Sequence, residues 1–272
     1  MQLSASGELG LLRELESRGL IVGVEHDAAQ IGPDLVVTQD ALVEGVHFRF
    51  DWISWRELGF RAAAVNLSDL AASGATPEAL LVTLAAPASS LTADVIALYE
   101  GIGEAGVPVV GGDTTSAAEV VISVTALGRS DRVPGRAGAQ PGDVLVVTGQ
   151  LGAAGAAFRA GAYARPPLRI DEGRALARHA HALLDISDGL VVDAGHIARR
   201  SGVRVEIELD GVPLAPGATI DDLGFGEDFE LLAAVAEPAD LPAIGRVVAG
   251  EGVVIRRGGE LYELAGWEHF RR

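Results

Sequence analysis

Ala182-Leu183-Leu184-Asp185-Ile186-Ser187-Asp188-Gly189-Leu190 passes from an apolar run, through a turn, into a helical pattern. The run over 182–186 is short and apolar and reads as a buried strand. The pattern from 190 to 200 reads as a helix, ended by Ser201-Gly202. On an extended strand Asp185 and Ser187, two residues apart, project to the same side. Asp188 and Gly189 then turn the chain into a helix whose N-terminus favours anions. A polyphosphate there would meet backbone donors, with Asp185 and Asp188 bringing metal. Helix capping alone accounts for Asp188, but it does not account for an acid inside the strand.

Working outward, the same succession of apolar run and helical period recurs, which predicts a mixed α/β (α+β) architecture. Strands are expected at 20–24 and 35–38, a helix over 57–73, a strand at 80–84 and a helix over 92–105. A short buried strand at 107–110 and a longer one at 120–127 follow. The stretch from Arg129 to Gly142 is rich in turn residues and has no period, so it marks a boundary. This divides the chain into residues 1–130, a linker at 131–142 and residues 143–272. Beyond it, strands are expected at 144–148, 203–209, 230–235 and 253–256, with a helix near 152–160.

Composition excludes several chemistries. The net charge of −17 offers no basic surface for nucleic acid. There is no cysteine, which removes thiolate nucleophiles, zinc–sulfur sites and iron–sulfur clusters. All 21 cationic side chains are arginine, so neither a Walker lysine nor a Schiff-base lysine exists. No apolar run is long enough to span a bilayer, and the first residues lack the character of a signal peptide. The expectation is a cytoplasmic protein with no membrane partner.

The aspartates fall where a chain seldom places charge without a use. Asp27 follows the first expected strand, Asp40 ends the second, and Asp113 ends the run Val107-Pro108-Val109-Val110-Gly111-Gly112. Strand ends in α/β folds are where ligands collect. Asp69 lies in the apolar helix segment Ala63-Ala64-Val65-Asn66-Leu67-Ser68-Asp69-Leu70 and shares a face with Asn66. A helix-end contact and a cation ligand are both consistent with it. Oxygen donors without sulfur point to a hard cation, magnesium before calcium or zinc, and the histidines form no zinc pattern. His47 is ambiguous on spacing alone.

Taken together, these segments resemble the thiamine-monophosphate kinases of the aminoimidazole ribonucleotide synthetase-like ATP-binding superfamily. The resemblance rests on Gly7-Glu8, Asp27-Ala28-Ala29, Thr38-Gln39-Asp40, Glu44-Gly45-Val46-His47-Phe48 and Asn66-Leu67-Ser68-Asp69. It continues through Gly111-Gly112-Asp113, Asp185-Ile186-Ser187-Asp188-Gly189, Gly226-Glu227-Asp228-Phe229-Glu230 and Gly266-Trp267-Glu268-His269-Phe270. It implies an N-terminal α/β domain that forms a homodimer, a C-terminal α/β domain, and a site in the cleft between them. Several magnesium ions would be held by Asp27, Asp40, Asp69, Asp113, Asp185 and Asp188 with oxygens of Thr38 and Gln39. Tyr99, Gly112, Arg136 and Ser187 would contact ATP, the co-substrate. His47, Glu227 and Trp267 would line the site for thiamine monophosphate, Trp267 facing the cationic thiazolium.

The reaction implied is direct transfer of the ATP γ-phosphoryl group to the acceptor's phosphate. That acceptor is already ionised, so no general base is assigned. Two departures stand out: Glu25-His26-Asp27 where the family usually has Gly-Asp-Asp, and Gln39-Asp40-Ala41 where it usually has Thr-Asp-Thr. They keep open a non-catalytic paralogue that only binds nucleotide or thiamine phosphates. Another ATP-dependent enzyme of the superfamily is the remaining alternative.

Overall fold

The computed structural model describes residues 3–22, 26–237 and 240–267. Glu25 and the terminal motif residues Glu268, His269 and Phe270 lie outside them. The first half runs α1 (Leu3–Ser17), β1 (Ala29–Ile31), β2 (Leu35–Val43), α2 (Trp55–Ala72), β3 (Thr76–Ala86), α3 (Thr92–Gly103), β4 (Val109–Ser116) and β5 (Val121–Arg129). The second runs β6 (Val144–Val147), α4 (Ala153–Arg159), α5 (Ile170–Ala177), β7 (Ala182–Asp185), α6 (Leu190–Ser201), β8 (Arg204–Glu208), β9 (Leu231–Val235), β10 (Ala243–Val248), β11 (Gly252–Arg257) and β12 (Glu260–Leu261). β1–β5 form one sheet in the order β1-β2-β5-β3-β4, and β6–β12 a second in the order β12-β11-β8-β10-β6-β9-β7.

Helix α2 joins the two halves. Ser54 and Glu57 start it with a reciprocal capping box, the serine hydroxyl accepting from the Glu57 N–H and the carboxylate accepting from the Ser54 N–H. Every residue from Leu58 to Ser68 is buried, so this helix has no solvent face. Leu58, Ala62, Ala63 and Leu67 pack into the core of the first sheet. Ala71 and Ala72 belong to a cluster with Leu176, Leu183 and Leu231 of the second half. Alanine suits such a helix because its short side chain lets layers approach from both sides.

The closest approach is between α2 and α3. A Cβ on Gly59 would lie 1.9 Å from the Leu98 carbonyl oxygen, and one on Gly101 would lie 1.8 Å from that of Arg56. Two backbones therefore touch where a side chain cannot fit.

Several expectations change. The apolar run at 107–110 was expected to be a short buried strand, but β4 runs Val109–Ser116 and all eight residues are exposed. It pairs only with β3, at the sheet's edge; an apolar run cannot tell an edge from a centre. Asp113 and Asp40 accordingly sit inside strands and not at their ends. The 20–24 strand is absent over its described part: Leu20 is 66% exposed and Val22 89%. β7 stops at Asp185, so Ser187 belongs to the following turn. α1 was not foreseen because Gly7 breaks its period with φ +64.

Gly59→Ala is expected to destabilise the protein by about 2 kcal/mol. Urea unfolding should show a lower midpoint with an unchanged slope.

Candidate active site

The site forms where α2 passes between the sheets. Adjacent residues on the helix reach opposite ways. Asp69 accepts from the Thr38 hydroxyl of β2 at 2.5 Å, while Ser68 donates to Asp185 of β7 at 2.6 Å. One turn earlier, Asn66 accepts from the Asp40 N–H at 3.0 Å. Thr38 and Asp40 share a face of β2, so both turn toward α2. Asp27, its side chain 3% exposed, accepts from Nε and Nη2 of Arg136 at 2.9 and 2.6 Å.

These carboxyls act on one another. Burial, followed by the charges of Asp27 and Asp188, pushes Asp40 up to about 6. Burial and Asp27 push Asp185 to about 8, against the lowering effect of the Ser68 hydroxyl. Asp69 is held well above the usual carboxylate range by burial and by Asp40, Asp185 and Asp27. Asp27, Asp40, Asp69, Asp185 and Asp188 are thus one electrostatic cluster. Buried like charges are costly without a cation, and the donors are hard oxygens, so the residues present suit magnesium.

The turn at 187–189 ties this cluster to the candidate acceptor residues. The Glu227 N–H donates to the Ser187 carbonyl at 2.8 Å and the Trp267 N–H to that of Asp188 at 2.9 Å. A Cβ on Gly226 would lie 2.2 Å from the Ser187 oxygen, so glycine is required there. In Gly226-Glu227-Asp228-Phe229-Glu230 alternate residues divide the work. Asp228 accepts from the Gly152 N–H ahead of α4. Glu230 takes both Nε and Nη2 of Arg169, together with the Thr148 hydroxyl. Glu227, at the unusual φ of +58, is left facing the cleft side of α2, where it pairs with Arg61. His47 is half-buried, its Nδ1 accepting from the Val43 N–H at 3.0 Å, which puts the proton on Nε2.

Other expected residues stand apart. Gln39 lies on the opposite face of β2 from Thr38 and its amide donates to Ser123. The ladder runs Ala41–Ser123–Thr83–Asp113, placing Asp113 three strands, about 14 Å, from β2. Gly112, with φ +142, abuts the Val82 backbone. Tyr99 packs on the first core, and among the described residues no contact joins it to the acids. Arg136 reaches the cluster, but as the partner of Asp27.

Three nearby residues escaped the sequence reading. Asp193 is buried and accepts the Asp188 N–H at 3.1 Å. A ligand atom of each of Asp188, Asp193 and His196 lies within 4.8 Å of the others. His196, expected to be an ordinary surface or packing residue, is held near 3 by burial and then by Arg136. Arg61 is only 6% exposed. The Asp193 and His196 signal was the period of α6, which sets both on the turn-facing side; Arg61 is seven residues before Ser68, on the same face of α2.

Two alternating sheets bridged by one buried helix, with acids converging at the junction, define the class. Residues 25–130 match the N-terminal domain of AIR synthase related proteins and residues 140–263 their C-terminal domain. Within that class the chain belongs to the thiamine-monophosphate kinase family. It is 34% identical to the Aquifex aeolicus thiamine-monophosphate kinase, covering 99% of this chain and 100% of that one. It is 35% identical to the Mycobacterium tuberculosis H37Rv protein of that name, covering 92% and 86%. The solved structure described as AaThiL complexed with AMPPCP and TMP superposes with a TM-score of 0.89 at 33% identity, covering 99% of both chains. A HypE–HypF complex chain, at 19% identity and a TM-score of 0.79, shares the fold.

The raised carboxyls give the metal-free protein a specific pH dependence. Asp40 and Asp185 bind protons more tightly folded than unfolded, so their contribution to stability falls as pH rises from about 4 through about 8. The melting temperature in chelator should drop across that range, and added magnesium should raise it more at pH 8 than at pH 5.

Proposed function

We propose that the chain transfers the γ-phosphoryl group of ATP to thiamine monophosphate, with magnesium ions held by Asp27, Asp40, Asp69, Asp185 and Asp188. The observation that carries this reading is the convergence of acids from both sheets beside a turn that also anchors Glu227 and Trp267. A chain that gathers five carboxylates against so few cations is built to receive positive charge. Bound there, magnesium would screen two anionic reactants and stabilise the charge of the transferring group.

The protein's own groups do the rest. The 187–189 turn presents backbone at the start of α6, suited to phosphate oxygens, and Ser187 belongs to it. Thr38 orients Asp69, Ser68 orients Asp185, and Asn66 fixes the backbone at Asp40. Trp267, 49% exposed, offers an aromatic face to a cationic ring, with His47 and Glu227 completing the acceptor pocket. The acceptor phosphate is already anionic at neutral pH, so no residue is assigned as a base. Arg136 would exchange Asp27 for ATP once metal neutralises that acid.

The bare strand β4 supports a homodimer through the first sheet. An exposed edge carrying Val109 and Val110, the latter 64% exposed, is a template that proteins cover. Tyr99, Gly112 and Asp113 are assigned to nucleotide and metal in that assembled form, and Gln39 to metal through its carbonyl. The reading places the protein in the cytoplasm, with ATP as co-substrate.

A coupled assay with ATP, magnesium and thiamine monophosphate tests the proposal; tight binding of both ligands without diphosphate formation would select the non-catalytic reading. Asp188→Asn should lower kcat at least about 100-fold in a folded protein. Trp267→Ala should raise KM for thiamine monophosphate about tenfold and leave that for ATP within a factor of about two.

A further inference from the structure

We infer that Arg61 is a specificity-determining residue of the acceptor subsite, whose guanidinium binds the acceptor's phosphate and so distinguishes a phosphorylated from an unphosphorylated ligand. The inference rests on the acceptor reading above and adds to it a residue that the resemblance did not assign.

Position is the first argument. Arg61 and Ser68 are seven residues apart on α2, nearly two full turns, and so lie on one face about 10 Å apart. Ser68 marks the acid cluster through Asp185. Arg61 meets Glu227, whose backbone is bonded to Ser187 in the turn beside that cluster. The guanidinium therefore lies beside Glu227, about two turns along α2 from the residue that marks the metal-binding end. On that reading a ligand held by Glu227 and reaching the acids carries its phosphate along this face of α2.

Charge is the second. The donor's polyphosphate can be neutralised by metal, but the acceptor's phosphate brings its own charge of about −1.5 to −2. With no lysine in the chain, any permanently charged cationic side chain opposite it is an arginine. Arg136, at the cluster, spends Nε and Nη2 on Asp27. Arg61 gives Glu227 one of its Nη groups, and a planar fork of five N–H donors is made for two oxygens of one phosphate.

Its setting is the third. A side chain 93% shielded from solvent, in a largely apolar buried stretch of helix, is an expensive place for a charge. The Tyr163 ring centroid lies 5.9 Å from the guanidinium carbon, and the buried Tyr163 hydroxyl has no hydrogen-bond partner. Glu227 and Tyr163 hold the guanidinium in place from two loops of the second half, so it is preorganised before any ligand arrives.

The test is calorimetric titration of wild-type, Arg61→Met and Arg61→Lys proteins with thiamine monophosphate and with thiamine, in magnesium, with melting temperatures as the control for folding. In the wild type, thiamine monophosphate should bind more tightly than thiamine. In Arg61→Met that preference should shrink about 10- to 100-fold while thiamine affinity changes less than about threefold. Arg61→Lys, which keeps the charge and loses the fork, should fall between the two, and it carries the test if the methionine variant does not fold. Equal weakening of both ligands in either variant would show that Arg61 only positions Glu227 and would overturn the phosphate assignment alone. A wild-type protein that bound neither ligand would overturn it together with the acceptor reading.

Discussion

Two hydrogen bonds made by neighbouring residues of one helix, Asp69 accepting from Thr38 and Ser68 donating to Asp185, hold the two sheets in register around the cleft. Everything the site can do depends on that register. Because the residues are adjacent, the distance between β2 and β7 is set by the thickness of a single helix, with no loop to absorb an error. The same bonds satisfy part of the lone-pair demand of buried carboxylates that would otherwise have neither water nor cation. Helix α2 is thus the floor of the cleft as well as the core of the fold.

That constraint explains the composition of the helix. Exposed residues are confined to its first turn, at Arg56 and Glu57, so beyond them its amphipathic stripe disappears and alanine takes over. Glycine appears where α3 lies against it, at Gly59 opposite Leu98. The polar residues that remain, Arg61, Asn66, Ser68 and Asp69, are each bonded to a different partner across a layer boundary. Polar groups in a buried helix are tolerated only when satisfied, and here their partners are the site itself.

Much of this could be read from the amino-acid sequence, and what could not has physical reasons. The strand–turn–helix of β7 and α6 was legible because apolar run, Gly189 and helical period all agree. α2 was legible as a helix and Asp69 as an anomaly within it. The partnership of Ser68 with Asp185, 117 residues later, depends on how the sheets dock, which no local pattern encodes. β4 misled because valines suit both an edge and a centre, and only pairing decides which. No local pattern marks Arg61, since its burial is a property of the second half packing over α2. Grouping the acids as one site came from the resemblance as much as from spacing, and Asp113 shows the limit of motif transfer within one chain: its strand places it beyond β3 and β5, away from Asp40.

The electrostatics of the cleft also favour arginine over lysine within it. A lysine near several carboxylates is a compact point charge that would compete with magnesium for the same oxygens. A guanidinium is broader, more weakly hydrated and directional, so it can be fixed by one carboxylate and still offer a planar edge elsewhere. Arg136 on Asp27 and Arg61 on Glu227 follow that pattern. Each neutralises one acid without filling the space between the others, where the remaining carboxylates, raised by burial and mutual repulsion, are left with the greatest free-energy gain from a divalent ion. Fixed arginines and repelling acids together favour ligands that bring metal with their phosphates over ligands that bring either alone.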